Sequence, residues 1–250
     1  MAEVSALASY CDGLLDAASF ADSCPNGLQV EGERPVRRLV TGVTASLALI
    51  EAAVDEGADA ILVHHGWFWK GESPCLTGIK GRRARALMGA GVSMLAYHLP
   101  LDAHPELGNN ACLGRVLGLV DAQPTRAGEG LVWWGRLPQP MPAAAFAEHL
   151  GRVLGRPALH VAGQDRPLAR LAWCTGAAQG LLSQAAALGV EAYLSGEISE
   201  RTTHEARELG VDYFAGGHHA TERYGVMALG EHLAERFGLA HRFFDLANPA

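Results

Sequence analysis

The fold is decided by residues 38–66, RLVTGVTASLALIEAAVDEGADAILVHHG, which are typical of a strand, a helix and a second strand in succession. Residues 38–42 and 60–63 are short apolar runs, and between 46 and 56 apolar residues recur at helical spacing. A Gly57-Ala58-Asp59 turn separates the helix from the second run. A helix that links two apolar strands favours parallel pairing with a right-handed crossover.

The same order of elements continues and then returns. The first copy adds a helix at 82–90, a strand at 93–96 and a helix at 110–117. The second copy has strands at 170–174, 192–194 and 212–214, and helices at 179–188, 200–208 and 221–236. The pattern predicts an α/β fold with a duplicated β-α-β-α-β-α unit; the alternative is a chance echo within an ordinary α/β protein.

The duplication also predicts how the chain is divided. The first repeat, with its N-terminal segment, is expected at 1–119, an insert at 120–168 and the second repeat at 169–250. Within the insert we expect a strand at 132–137 and a helix at 143–154.

Composition excludes several classes of protein. With 49% hydrophobic and 19% charged residues, the chain has ordinary globular usage, and its 30 Gly and 12 Pro follow no short period. The net charge of −7 speaks against direct binding to nucleic acid or to an anionic membrane. We find neither an apolar stretch long enough to span a membrane nor a secretory signal. Five scattered cysteines without a CxxC motif favour a reducing cytoplasm.

Histidines and carboxylates follow the predicted strands, where open α/β sheets bind their ligands. The strand ends present His64-His65; His98, Asp102 and His104; Glu197; and His218, His219 and Glu222. Imidazole and carboxylate without thiolate suit zinc, iron, manganese, cobalt or nickel at a catalytic type of site. Each group also has a plainer explanation, such as a hydrogen-bonded core histidine, a turn or cap carboxylate at Asp102, or a dipole-favoured Glu222.

The spacing of these residues favours two ions. His64 and His65 point to opposite sides of an extended chain, so one ion would not use both, whereas a pair of ions bridged by a carboxylate would. His218 and Glu222 are four residues apart and share a helix face, but His219, three residues away, would do almost as well. Spacing alone leaves that choice open.

Other features are less specific. The aromatic run Trp67-Phe68-Trp69-Lys70 is compatible with a purine-stacking wall, although core packing or a subunit contact is the favoured interpretation. Asn109-Asn110 is expected to cap the helix that follows. No GxGxxG, P-loop or GxSxG motif is present.

Six motifs taken together resemble one family. They are 23–30 SCPNGLQV, 64–71 HHGWFWKG, 97–104 YHLPLDAH, 108–111 GNNA, 196–200 GEISE and 217–223 GHHATER. In this order they resemble the NIF-three-like dinuclear-metal family, the type 2 homologues of GTP cyclohydrolase I. The resemblance implies an intertwined α/β fold with mixed sheets, helices on both faces, and a toroidal homohexamer. It also implies two divalent metal ions held by His64, His65, Asp102, His218 and Glu222, and thereby His218 over His219.

The function that we expect is a metal-dependent hydrolase acting on a nucleotide or related heterocycle, of GTP cyclohydrolase or phosphoesterase type. The ions would activate a water, and His98, beside the centre in the family, or Glu197 would move protons. Lys70, Arg201 or Arg223 could neutralise a phosphate. The alternative is a non-catalytic metal-binding hexameric scaffold or a partner-binding regulatory protein.

Overall fold

The protein has the predicted α/β fold, with two mixed sheets distributed over two compact units. The computed structural model describes residues 1–250. The first unit consists of residues 1–101 and 226–247, and the second of residues 102–225 and 248–250. The units are therefore interleaved along the chain, as an intertwined fold requires.

The first unit contains a five-stranded sheet. Its elements are α1 (Val4–Leu14), β1 (Gly27–Val30), β2 (Arg38–Thr44), α2 (Leu47–Asp55), β3 (Ala60–His65), α3 (Gly78–Gly89), β4 (Ser93–Ala96) and β11 (Ala240–Phe243). The strand order is β1-β4-β3-β2-β11, parallel throughout except for the antiparallel β1–β4 pair. Helix α2 begins after Ser46, whose side chain accepts a hydrogen bond from the Leu49 N–H at 3.3 Å. This is the capping interaction that favours serine before a helix.

The second unit contains a six-stranded sheet. Its elements are α5 (Asn109–Val116), β5 (Val120–Pro124), β6 (Trp133–Met141), α6 (Ala143–Leu154), β7 (Leu159–Val161), β8 (Leu168–Trp173), α7 (Leu182–Ala186), β9 (Ala192–Ser195), α8 (Glu200–Leu209) and β10 (Asp212–Ala215). The strand order is β5-β6-β8-β9-β10-β7. Its central β8–β9–β10 strands are parallel and the outer strands are antiparallel. Two helices, α4 (Leu99–Ala103) and α9 (His218–Phe237), cross the borders between the units.

In both copies of the repeat, an acidic residue just before the second strand is hydrogen bonded to the backbone of an arginine in the first strand. In the first copy, Asp59 Oδ2 accepts the backbone N–H of Arg38 at 3.0 Å; in the second, Glu191 Oε2 accepts that of Arg170 at 2.6 Å. The backbone N–H of each acid donates in turn to the carbonyl of its arginine. These matching bonds agree with the predicted duplication.

The last helix of each repeat lies in the unit built mainly from the other repeat. Helix α5 follows the first repeat but lies in the second unit, whereas α9 from residue 226 onward lies in the first unit. Both helices end on a left-handed glycine, Gly118 and Gly238, followed by a strand. The expected boundaries at 119/120 and 168/169 describe sequence repeats, not compact units, and stay a prediction.

Several predicted elements differ from the structure at their ends: α3 begins at Gly78, four residues before the predicted start, and β6 continues to Met141. Strand β3 continues through His65, so both histidines are its last residues rather than loop residues. Helix α9 begins at His218, three residues before the predicted start. The predicted helix 179–188 is a 3-10 turn at Gln179–Leu181 followed by the short α7, consistent with the low helix propensity of Gly180.

Apolar side chains fill the space against each sheet. In the first unit the buried cluster includes Ile50, Ile61 and Leu87, and in the second it includes Phe146, Trp173 and Phe214. No helix in the structure combines the length and apolar character needed to cross a membrane.

Candidate metal centre

Two histidines end strand β3 and differ in their environments. His64 is fully buried, and its Nδ1–H donates to the carbonyl oxygen of Tyr97 at 2.9 Å. His65 is half-buried, and its Nδ1 is hydrogen bonded to Thr44 Oγ1 at 3.2 Å. Because a carbonyl accepts only from a protonated nitrogen, the inferred tautomer of His64 leaves the Nε2 lone pair as its ligand atom. Such a bond is the usual way in which proteins orient a metal-binding histidine.

His98 lies beside this pair and is held by a buried carboxylate. Its ring centroid is 5.0 Å from that of His64 and 5.7 Å from that of His65. Its Nδ1–H donates to Asp22 Oδ1 at 2.8 Å, and the Asp22 side chain is only 3% exposed. The three imidazoles offer ligand atoms that lie within 4.8 Å of one another.

Asp22 stays ionised although it is buried. Burial raises the pKa of its carboxyl group, but hydrogen bonds from His98, Asn26 and the Leu99 N–H outweigh burial and lower the pKa well below its ordinary value. The carboxylate therefore holds His98 in the tautomer that carries its proton on Nδ1.

The segment 22–29, which leads into β1 and includes most of it, supports both histidine-bearing segments. Asn26 Oδ1 accepts the backbone N–H of His98 at 2.7 Å, and Gln29 Oε1 accepts that of Trp67 at 2.7 Å. The sequence analysis identified this segment only as a motif and assigned no role to Asp22, Asn26 or Gln29. Their partners lie 38–77 residues away in the chain, and no local signal marks such pairs.

In the second unit, Asp102 is buried in helix α4 and fixed by hydrogen bonds. Asp102 Oδ1 accepts from Asn109 Nδ2 at 2.9 Å and from Thr175 Oγ1 at 3.3 Å. Asn110 Nδ2 donates to the Asp102 carbonyl at 3.2 Å, and its Oδ1 accepts the Thr175 N–H. The expectation that the two asparagines cap α5 is wrong: Gly108 is the N-cap residue, and both amides are buried around Asp102.

His218 and Glu222 lie on one face of the first turn of α9. His218 Nε2 is 3.0 Å from Glu222 Oε2, and His218 Nδ1–H donates to Glu197 Oε1 at 2.7 Å. Burial lowers the pKa of His218, but the bonds and charges of Glu222 and Glu197 outweigh it and raise the pKa to about 9. Two carboxylates thus stabilise positive charge at His218, as a cation-binding position requires.

A glycine makes room for this pair. Gly176 has a φ of +67°, and a Cβ there would overlap Glu222 Oε1 and lie 3.2 Å from His218 Nε2. Its N–H donates to Thr221 Oγ1 at 3.1 Å. Gly176 was missed by sequence reasoning, because nothing near it in sequence indicates the later approach of Glu222.

The donor set fits a borderline divalent cation. The side chains combine imidazole nitrogens with buried carboxylates, and no thiolate is needed, which suits zinc, iron, manganese, cobalt or nickel. His64, Asp102 and Glu222 are buried, whereas His98 and His218 are 18% and 25% exposed.

Of the other residues that the sequence analysis proposed for the site, two are hydrogen bonded to neighbouring groups and two are exposed. His104 Nδ1 accepts the backbone N–H of Leu107, and Arg223 donates to the Leu154 carbonyl and lies over Tyr224. Lys70 and Arg201 are exposed on the surface.

Fold and donor set together define an α/β protein with a candidate imidazole–carboxylate metal centre. The Duf34/NIF3 (NGG1p interacting factor 3) family model matches residues 2–249, and the chain belongs to this family. The predicted resemblance is thereby confirmed.

Relatives and a solved structure agree with this assignment. The chain is 67% identical to the GTP cyclohydrolase 1 type 2 homolog of Allochromatium vinosum, over 100% of this chain and 98% of the relative. It is 56% identical to the protein of the same name from Pseudomonas aeruginosa, over 99% and 98%. The crystal structure of TTHA1606 from Thermus thermophilus superposes with a TM-score of 0.90 at 38% identity, covering 99% of this chain and 100% of that one.

Proposed function

We propose that the protein is a dinuclear-metal-dependent hydrolase that acts on a nucleotide or a related heterocycle. Its ligands would be His64, His65, Asp102, His218 and Glu222. The first unit supplies His64 and His65, whose ligand atoms lie within 4.8 Å of each other. The second unit supplies Asp102, which is buried, and the His218–Glu222 pair, whose side chains are 3.0 Å apart. Asp102 and Glu222 are the buried carboxylates of the set and would hold the ions together with the imidazoles.

The observation that carries a catalytic role is the Asp22–His98 pair beside two candidate ligands. When bound, two divalent ions supply Lewis acidity and make a coordinated water easier to ionise near neutral pH. His98, with its Nδ1 proton held by Asp22, accepts a proton at Nε2 from the attacking water and delivers it to the leaving group. Glu197, which is bonded to His218 Nδ1, orients that ring and is a second candidate for proton transfer.

The assembly and the setting of the protein are part of this proposal. The toroidal homohexamer follows from the family resemblance. A reducing cytoplasm is proposed from the five scattered cysteines, which form no CxxC motif. Candidate substrates are a nucleotide or a small phosphorylated compound, the class suggested by the relatives' name, GTP cyclohydrolase 1 type 2 homolog.

The test separates metal binding from turnover. Purified protein is loaded with each candidate metal, analysed for metal content, and assayed against GTP, other nucleotides and generic phosphoesters. We expect two ions per chain in the wild type and fewer in a His64→Ala, Glu222→Ala double variant. His98→Ala should keep its metal but lose at least about a hundredfold in turnover, the usual contribution of a general base.

The control is His204→Ala, which removes an exposed histidine paired only with Glu200 on α8. It should match the wild type in metal content and in turnover. If the double variant turns over every substrate as fast as the wild type, the hydrolase proposal is wrong. Full metal content without turnover, together with loss of the assembly on chelation, would instead indicate the non-catalytic scaffold.

A further inference from the structure

The aromatic segment that follows β3 divides into a core residue and a residue beside the histidines. Trp67 is buried, and its Nε1–H donates to the Ala45 carbonyl at 3.1 Å. Trp69, two residues later, is half-buried and lies against His98 and His65, with ring centroids 4.9 and 6.0 Å apart. Core packing, the favoured interpretation from sequence, therefore accounts for Trp67 but not for Trp69.

A strained residue between them turns the chain. Phe68 has a φ of +66°, a left-handed conformation that is rare and costly for an aromatic residue. Phe68 itself packs at the edge of the core cluster of the first unit, with the Lys80 ammonium 5.8 Å from its ring centre. The strained turn is maintained by these contacts and places Trp69 next to the imidazoles.

The indole of Trp69 is fixed, and its polar atom is satisfied within the segment. Its Nε1–H donates to the Gly66 carbonyl at 3.2 Å, and the next residue, Lys70, donates its N–H to the Ser23 carbonyl at 2.6 Å. His98 meets the indole at an interplanar angle of 82°. With its only hydrogen-bond donor used internally, what Trp69 offers a ligand is an apolar π surface, held in place before binding.

From this geometry we propose that Trp69 is the stacking platform for the planar heterocyclic ring of the substrate. This inference rests on the proposed function, and it specifies the substrate class as one with an aromatic nitrogen heterocycle, not a simple phosphoester. Stacking on Trp69 would place the ring beside His65 and His98, whose imidazoles define the reacting edge. Every type of base has a π face, so the platform supplies affinity for planar rings, and hydrogen bonds from other groups would choose among them.

Binding measurements on the full chain test this proposal without requiring turnover. Guanosine, which has the heterocycle but no phosphate, and ribose 5-phosphate, which has the phosphate but no heterocycle, are titrated by calorimetry against metal-loaded protein. Trp69→Leu should weaken guanosine binding by about five- to a hundredfold, the range for loss of one base–aromatic stack. Binding of ribose 5-phosphate should change by less than about twofold, and Trp69→Phe should keep most of the guanosine affinity.

Trp134→Leu is the matched control, because Trp134 is also half-buried but lies on β6 in the second sheet. Its affinity for guanosine should equal that of the wild type, and circular dichroism and metal content should match in all variants. Guanosine binding that is unchanged in Trp69→Leu, or no guanosine binding by the wild type, overturns the platform. Binding that depends on Trp69, without turnover of any substrate, would refute the hydrolase proposal and leave the platform standing.

Discussion

Replacing Gly176 by alanine should damage the candidate metal centre more than it damages the fold. The new Cβ would collide with Glu222 Oε1, and it would lie 3.0 Å from Glu222 Cδ, closer than real Cβ atoms normally approach a neighbour. The backbone cannot withdraw easily, because the Gly176 N–H bonds Thr221 Oγ1 and its carbonyl accepts from the Gly196 N–H at 2.9 Å. The Glu222 carboxylate must therefore move, and its 3.0 Å contact with His218 would be lost.

Two effects of different size follow. A non-glycine residue at a φ of +67° costs about 1–2 kcal/mol, so the free energy of unfolding should fall by at least that amount. Displacement of a carboxylate from a metal centre should weaken metal affinity by about tenfold to a hundredfold or more, since even loss of a supporting hydrogen bond costs that much.

Gly155→Ala separates the two effects. Gly155 has a φ of +71° and no atom within 4 Å of an added Cβ, so it carries the same backbone strain without a collision. Urea denaturation should show a similar minimum loss of stability in both variants, whereas competition with a metal-binding dye should show weakened affinity only in Gly176→Ala. Wild-type affinity in Gly176→Ala would refute the reasoning, as would equal metal loss in Gly155→Ala.

Three further predictions concern single side chains. Asp22→Asn should keep its metal but reduce turnover about tenfold to a hundredfold and alter the pH profile, because the amide lacks the negative charge that the carboxylate places 2.8 Å from His98 Nδ1. Steady-state kinetics with metal analysis would show this change, and an unchanged profile would contradict it. Burial raises the pKa of Glu191, but hydrogen bonds from the Arg170 N–H and guanidinium outweigh burial and lower the pKa. The ionised carboxylate therefore stabilises the fold at pH values above the unfolded pKa of about 4.3. This stabilisation is lost progressively as the pH falls through the pKa of the folded state. Glu191→Gln should therefore cost about 1–3 kcal/mol in urea denaturation at pH 7, and a penalty that stays constant down to pH 3 would disagree. Phe214→Ala, which removes a ring 5.1 Å from Phe146 and 4.6 Å from His160, should lower the free energy of unfolding by about 3–5 kcal/mol, and a loss below 1 kcal/mol would show that the core collapses around the gap.

Sequence patterns predicted the central strands of both sheets, because these strands are short apolar runs, but not the outer strands β5, β7 and β11. Runs 60–63, 93–96 and 212–214 all lie within observed strands. The ends of elements were less accurate where polar residues continue a strand or helix. His64 and His65 extend β3, and His218 opens α9, because their backbone bonds do not depend on side-chain hydrophobicity.

The candidate ligands were predicted from sequence and stay a prediction, but most of the residues that bond to them were not indicated by the sequence. Histidines at strand ends are visible because open α/β sheets bind their ligands at the carboxyl ends of the strands. Asp22 bonds His98, 76 residues away in the chain, and Thr175 bonds Asp102, 73 residues away. A single sequence contains no pairing information for such contacts, so the supporting network becomes visible only in three dimensions.

The placement of α9 and β11 bears on how the protein is made in the cell. The first unit needs residues 226–247, and β11 forms one edge of its sheet by pairing with β2. During translation, the N-terminal hundred residues emerge long before this edge strand exists. The β2 edge of the nascent chain therefore stays unpaired until synthesis is nearly finished. During this time, ribosome-associated chaperones would protect the edge from pairing with other chains.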